Sequence, residues 1–177
     1  MSMDVTFYFA DNKVGWKKLG GEVIKDVEGT SFDHFAIGLG NDEDEVIYES
    51  VFPKSRAIFK NEWLEEYEVK YSFSFSIPTE KYIEVVDFLN SMLGKWYAVD
   101  QCIWIALITW FKIKKQFSDK VTLNGSINII CTELGYLFCK KFFKGEWNLN
   151  QDRVDLKDMF LISSELIHTN CWRQDEI

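Results

Sequence analysis

Histidine and proline each occur only twice, and cysteine four times, in a chain of 177 residues. These scarcities exclude several classes of protein. His34 and His168 are far apart, and Cys102, Cys131, Cys139 and Cys171 form no C-x-x-C pair, so the close ligand spacing of a structural zinc site is missing. Neither a metal nor another cofactor is expected. The opening MSMDVTFYFADNK lacks a basic segment, an apolar run and a small-residue cleavage site, so no secretory signal is read. Without a secretory context, the even number of cysteines implies no disulfide framework.

Positive charge is also short. The formal net charge is −8, against the clustered basic face of a nucleic-acid binder. The lysines of Lys112-Ile-Lys-Lys115 and Lys140-Lys141 read as solvated helix ends. The most apolar window, Ile103 to Phe111, lies between Asp100 and Lys112 and falls well short of the roughly 20 residues that span a bilayer. It reads as a buried helix. The expectation is a cytoplasmic protein (or one carried in a virion, if phage-encoded) with no nucleic-acid partner and no transmembrane segment.

What is present is apolar bulk: 47% hydrophobic and 16% aromatic residues, enough for a packed core in one domain over residues 1–177. Val5 to Phe9 reads as a first strand, and Gly15 to Val27 has apolar positions at helical spacing. Phe32 to Leu39 and Glu45 to Val51 read as a hairpin turning near Asp42 and Glu43, which Ala57-Ile-Phe can extend. Tyr71-Ser-Phe-Ser-Phe-Ser-Ile77 alternates strictly, as a strand with one buried face does. A helix from Glu80 to about Leu93 follows, with Thr79 as its cap and Gly94 as its stop. Further helices are read at Val99 to Ile113, within Ile127 to Phe143, and at Leu156 to Ile167. The class is α+β.

The chemistry centres on Cys131 in Ile130-Cys-Thr-Glu-Leu-Gly135, where an apolar run becomes a helix. A thiol attacks as the thiolate, which a helix N-terminus favours through unpaired N–H groups and the positive end of the dipole. The same N–H groups can stabilise an oxyanion. Cys139, two turns later, reads as a core thiol. His34 is the candidate base, at a strand start where it can face a cleft between sheet and helix. Glu49 in Val46-Ile-Tyr-Glu-Ser50 is the candidate orienting acid, because a turn near residues 42 and 43 brings it close to His34 across the hairpin. His168 reads as a surface residue.

Taken together, Ser31-Phe-Asp-His-Phe-Ala-Ile-Gly-Leu-Gly40, Val46-Ile-Tyr-Glu-Ser50 and Cys131-Thr-Glu-Leu-Gly135 resemble the circularly permuted NlpC/P60 proteins. These papain-like cysteine hydrolases, also called YiiX/YebB-like, place the histidine strand before the cysteine helix. The resemblance runs over roughly residues 5 to 145. It implies an antiparallel sheet packed against helices, with Cys131 as nucleophile at a helix N-terminus, His34 as base and Glu49 as orienting acid. Leu93-Gly-Lys-Trp-Tyr97 is similar to the segment before the family's buried helix, which implies that Tyr97 lines the site and donates to the oxyanion. Thr132 stands where the family has a serine after the cysteine and is implied to lie at the same substrate-binding end. Asp33 replaces a serine before the histidine, and a carboxylate there tends to raise the imidazole pKa. Lys95-Trp96 replaces a common proline, and the usual Gly-Asp start is missing.

The function implied is hydrolysis or acyl transfer on an amide or ester through a thioester, with a peptide, a peptidoglycan-type peptide or an acyl lipid as substrate. An alternative is a catalytically inactive binding or structural protein that keeps the fold, with Cys131 unreactive behind aromatic side chains. A third reading uses Ile103 to Phe111 to touch a membrane surface.

Overall fold

The structure, a computed structural model, describes residues 3–13, 21–22, 24–26, 29–41, 44–97, 128–149, 154–169 and 172. Its frame is a five-stranded antiparallel sheet made of β1 (Met3–Asn12), β2 (His34–Gly40), β3 (Val46–Glu49), β4 (Arg56–Phe59) and β5 (Tyr67–Ile77), in the order β4-β3-β2-β1-β5. The β2–β3 hairpin pairs Ile37 with Tyr48 and Leu39 with Val46. The alternation of β5 has its expected consequence. Phe75 and Ile77 are buried and Phe73 is half-buried, while the intervening serines face outward.

Alternation also sorts the residues of β1 to β4 between two faces. Val5, Phe7, Phe9, Phe35, Ile37 and Leu39 form the larger core with the helices, where a fully buried side chain of this size stabilises by about 1.5–3 kcal/mol. Tyr8, Ala10, Ala36 and Ile47 face the other way and pack with Trp63 and Tyr67. The latter two arrive through a unit that sequence patterning did not anticipate, helix α1 (Lys60–Glu66), which joins β4 directly to β5. It starts at Phe59 with no side-chain cap, and Trp63 is its buried residue. Strand β5 then carries one extra residue against β1: Phe9 faces Tyr71, but Ala10 faces Val69, leaving Lys70 unpaired in a bulge.

Helix α2 (Tyr82–Ser91) follows a 3-10 turn at Thr79–Lys81. Thr79 is the first residue of that turn, with Pro78 at its cap position and Lys81 at that of α2, and none of these caps is made by a side chain. The expected Thr79 cap is therefore corrected: proline's fixed backbone starts the turn instead. The helix ends at Ser91, two residues before Leu93, and Gly94 adopts the left-handed φ of 74° that lets the chain leave. Strand β6 (Trp96–Tyr97) pairs in parallel with β7 (Asn128–Ile129), and α3 (Cys131–Phe142) begins two residues later. Helix α4 (Leu156–Thr169) packs on α3 and β5.

Positions 21–22 and 24–26 are helical, within the helix expected from Gly15 to Val27, most of whose first half lies outside the described residues. The expected helix from Val99 to Ile113, the membrane-touching segment Ile103 to Phe111, and Cys102 and Cys171 also lie outside them. Among the described residues, no helix is long and apolar enough to cross a membrane.

Helix α3 sits on β2 without an intervening side chain at Gly135. A methyl group there would fall 2.5 Å from the Phe35 ring and 2.7 Å from the end of Met159. This close approach fixes where the helix starts, and therefore where Cys131 is held.

Candidate active site

His34 opens β2 and Glu49 closes β3, on the same face of the sheet and near one end of the hairpin. Glu49 and Arg56 are register partners across β3 and β4. Helix α1 then lays Trp63 over this corner, and β5 supplies Tyr67. Four strands and one short helix thus place the buried Glu49 carboxylate and four side chains around it.

Both Glu49 oxygens are occupied. Oε2 lies 2.6 Å from His34 Nε2 and accepts the Trp63 indole N–H at 3.0 Å. Oε1 accepts from Arg56 Nε at 2.7 Å, with the guanidinium Nη2 2.6 Å away. Burial works against the Glu49 charge, but the hydrogen bond and charge of His34, with Arg56 behind, outweigh it and bring the carboxyl down to about 2. An ionised carboxylate only accepts, so Nε2 carries the hydrogen that points at it. Nδ1 is left for the thiol of Cys131, which hydrogen-bonds the ring from the α3 side.

Burial also opposes a charge on His34, yet Cys131 and Glu49 together raise its pKa to about 10. The ring lies nearly parallel to that of Tyr67, with centroids 4.6 Å apart and an interplanar angle of 17°. Trp63 also stacks on Tyr67, at 4.9 Å and 20°. This aromatic stack fixes the imidazole plane and keeps water from it, while Glu49 fixes its rotation.

Ile130, at the cap position of α3, makes no side-chain cap bond, and the first intrahelical bond runs from Leu134 N–H to the Ile130 carbonyl. The Cys131 and Thr132 amides therefore precede the helix ladder, with no intrahelical acceptor. The Thr132 hydroxyl donates to the Val154 carbonyl at 2.6 Å and ties α3 to the start of α4, which commits the hydroxyl to the fold. Tyr97 is half-buried on β6 opposite Ile129, two residues before Cys131, and its own N–H donates to the Pro53 carbonyl. That pairing brings Tyr97 to the segment that leads into Cys131.

Asp33 is buried beside His34 in sequence, but its carboxylate accepts from the Asn12 backbone N–H at 3.0 Å and its side-chain amide at 2.8 Å. Cys131 and Glu49 raise His34 most directly, and Asp33, though turned to Asn12, couples to the ring through charge. Cys139 is fully buried and burial pushes its thiol well up, as a core thiol requires. His168 is exposed on α4.

Arg56, Trp63 and Tyr67 are the site residues that sequence reasoning missed. The available signal was Ser55-Arg56-Ala57, a lone cation opening a short strand that pairs with the Glu49 strand. Among the described residues, no group of three or more His, Cys, Asp or Glu side chains could hold a metal ion. A polar recess of about 560 Å³ on the outer sheet face, lined by residues including Asp4, Thr6, Glu45 and Lys60, includes none of Cys131, His34 or Glu49. No protein-family model matches the chain, and no curated protein matches it significantly.

Proposed function

We propose that the chain is a cysteine-dependent hydrolase or acyltransferase of the permuted NlpC/P60 type, with Cys131, His34 and Glu49 as its triad. One observation carries this reading. His34 is held between Cys131 in the first turn of α3 and the buried carboxylate of Glu49, with one ring nitrogen for each. A nucleophile, its base and an orienting acid in one line is the arrangement that thiol acyl transfer needs.

In the reaction, the Cys131 proton passes to His34 Nδ1 and the sulfur attacks the carbonyl carbon of an amide or ester. The Cys131 and Thr132 amides, with Tyr97 at the same end, face the oxyanion. As the carbon–nitrogen or carbon–oxygen bond breaks, His34 gives its proton to the leaving amine or alcohol, and the acyl group stays on sulfur. Water or another acceptor then loses a proton to His34 and attacks the thioester, and the acyl group departs. The thiolate recovers its proton from the ring. A peptide, a peptidoglycan-type peptide and an acyl lipid all supply such a carbonyl.

The burial of the pair, with Cys131 7% and His34 6% exposed, favours a second reading, a binding or structural protein with an occluded site. Iodoacetamide labelling across pH, with the modified residue located by mass spectrometry, separates the two. The enzyme reading expects Cys131 to label faster than Cys139, and to slow markedly in His34→Ala. A folded protein whose Cys131 resists labelling would leave the inactive reading standing.

A further inference from the structure

Glu49 orients His34, but it has a second cation of its own. Arg56 places Nε and Nη2 on Oε1 alone, leaving Oε2 to His34 and Trp63. The same Nη2 donates outward to Glu66 Oε1 at 2.9 Å. The result is a line of alternating charge running inward: Glu66, Arg56, Glu49, His34 and, once its proton has moved to the ring, Cys131. Glu49 is completely buried, whereas the side chains of Arg56 and Glu66 are 33% and 30% exposed.

We propose that Arg56 is a positioning residue that keeps Glu49 ionised during the half of the cycle in which His34 is neutral, so that the imidazole proton stays transferable. The inference rests on the Cys131–His34 reading above. In the acyl-enzyme, His34 has given its proton to the leaving group and no longer offsets the Glu49 charge. A buried carboxylate left without a cation is costly. With Arg56 absent, that cost falls on the neutral ring: His34 holds its proton more tightly, and the share of neutral base ready to accept a proton from water shrinks.

The groups that face this pair come from every element around it. They are Asp33 ahead of β2, Arg56 on β4, Trp63 and Glu66 on α1, Tyr67 on β5 and Cys131 on α3. Asp33 is turned to Asn12, and burial keeps the Tyr67 phenol protonated. Among them, Arg56 alone stays positive whatever the state of the ring, because guanidinium does not deprotonate in proteins. A lysine would restore the charge but not the two-nitrogen grip that leaves Oε2 open.

The test uses p-nitrophenyl acetate as acyl donor with wild type, Arg56→Lys and Arg56→Gln. The p-nitrophenolate burst reports acylation of Cys131, and the following steady state reports deacylation. Arg56→Gln is expected to acylate, while its deacylation profile moves up by about one pH unit and slows about tenfold at pH 7, the effect of one lost charge within contact distance. Arg56→Lys should recover most of that loss. A deacylation profile in Arg56→Gln that superimposes on wild type overturns the proposal, as do equal losses in the Lys and Gln variants. Should Arg56→Gln not fold, Glu66→Gln frees the same guanidinium from its outer carboxylate and should shift the profile in the opposite direction by a smaller amount; no shift overturns the proposal. If wild type forms no acetyl-Cys131, the enzyme reading fails instead. NMR titration of His34 then decides the remaining question, with a higher titration point in Arg56→Gln supporting the coupling and an unchanged one overturning it.

Discussion

Tyr67 lies face to face with His34, 4.6 Å between ring centres, and stacks on Trp63 as well, at 4.9 Å. The imidazole is therefore walled by a stack whose members come from α1 and β5, neither of which carries Cys131, His34 or Glu49. Tyr67→Ala should cost about 3–5 kcal/mol in a urea denaturation experiment, the usual range for deleting a large buried aromatic side chain. It should also slow Cys131 labelling in the fraction that remains folded. A variant that keeps its stability would mean that the stack is not holding this corner together.

His34→Ala should slow iodoacetamide labelling of Cys131 at neutral pH by about 10²-fold or more, the lower end of what a positioned acid–base group contributes. Glu49→Gln should slow it less, since the amide can still accept from Nε2. Equal labelling rates in wild type and His34→Ala would separate the thiol from the imidazole.

Stability should depend on pH from both sides of the pair. Glu49 falls from 4.5 to about 2 on folding, so its contribution is complete above pH 4.5 and is lost as pH drops toward 2. His34 rises from 6.5 to about 10, so its contribution is complete below pH 6.5 and fades as pH climbs through 10. Melting temperature should thus be highest between those limits and fall on either side. Cys131→Ala should weaken the alkaline dependence, because Cys131 supplies part of the His34 shift. An unchanged alkaline limb in that variant would place the thiol away from the ring.

Gly135→Ala pushes a methyl group against Phe35 and Met159. Overpacking of this kind costs about 1–3 kcal/mol. The cheapest relief is for α3 to lift from β2, which moves Cys131 away from His34. Thermal melts and labelling kinetics should worsen together. Loss of stability with an unaltered labelling rate would show that the helix start is fixed by something other than this contact.

The hairpin that joins His34 to Glu49 was legible because both strands alternate and a polar turn centred on residues 42 and 43 admits one register. The Cys131 helix was legible because an apolar run passes directly into helix-forming residues. The corner built by Arg56, Trp63 and Tyr67 was not. Helix α1 is seven residues long, begins at an uncapped Phe59 and has no glycine or proline at either end, so nothing in the sequence punctuates it. Thr79 misled for the opposite reason: it has the chemistry of a cap, but Pro78 had already set the backbone. The saturation of Glu49 by four donors depends on three strands and a helix meeting at one point, which no local pattern encodes.

The unpaired Lys70 in β5 acts on the strand as a half-twist does on a ribbon. Beyond it, the odd-numbered residues change sides: Phe73, Phe75 and Ile77 serve the core, whereas Tyr67 and Val69 serve the cleft wall. One chain segment is thereby lining at one end and scaffold at the other. Flattening that bulge with Lys70 kept would pair Lys70 with Ala10, slide Tyr67 opposite Lys13 and onto the helix side, and strip His34 of its aromatic cover while Cys131, His34 and Glu49 all stayed in the sequence.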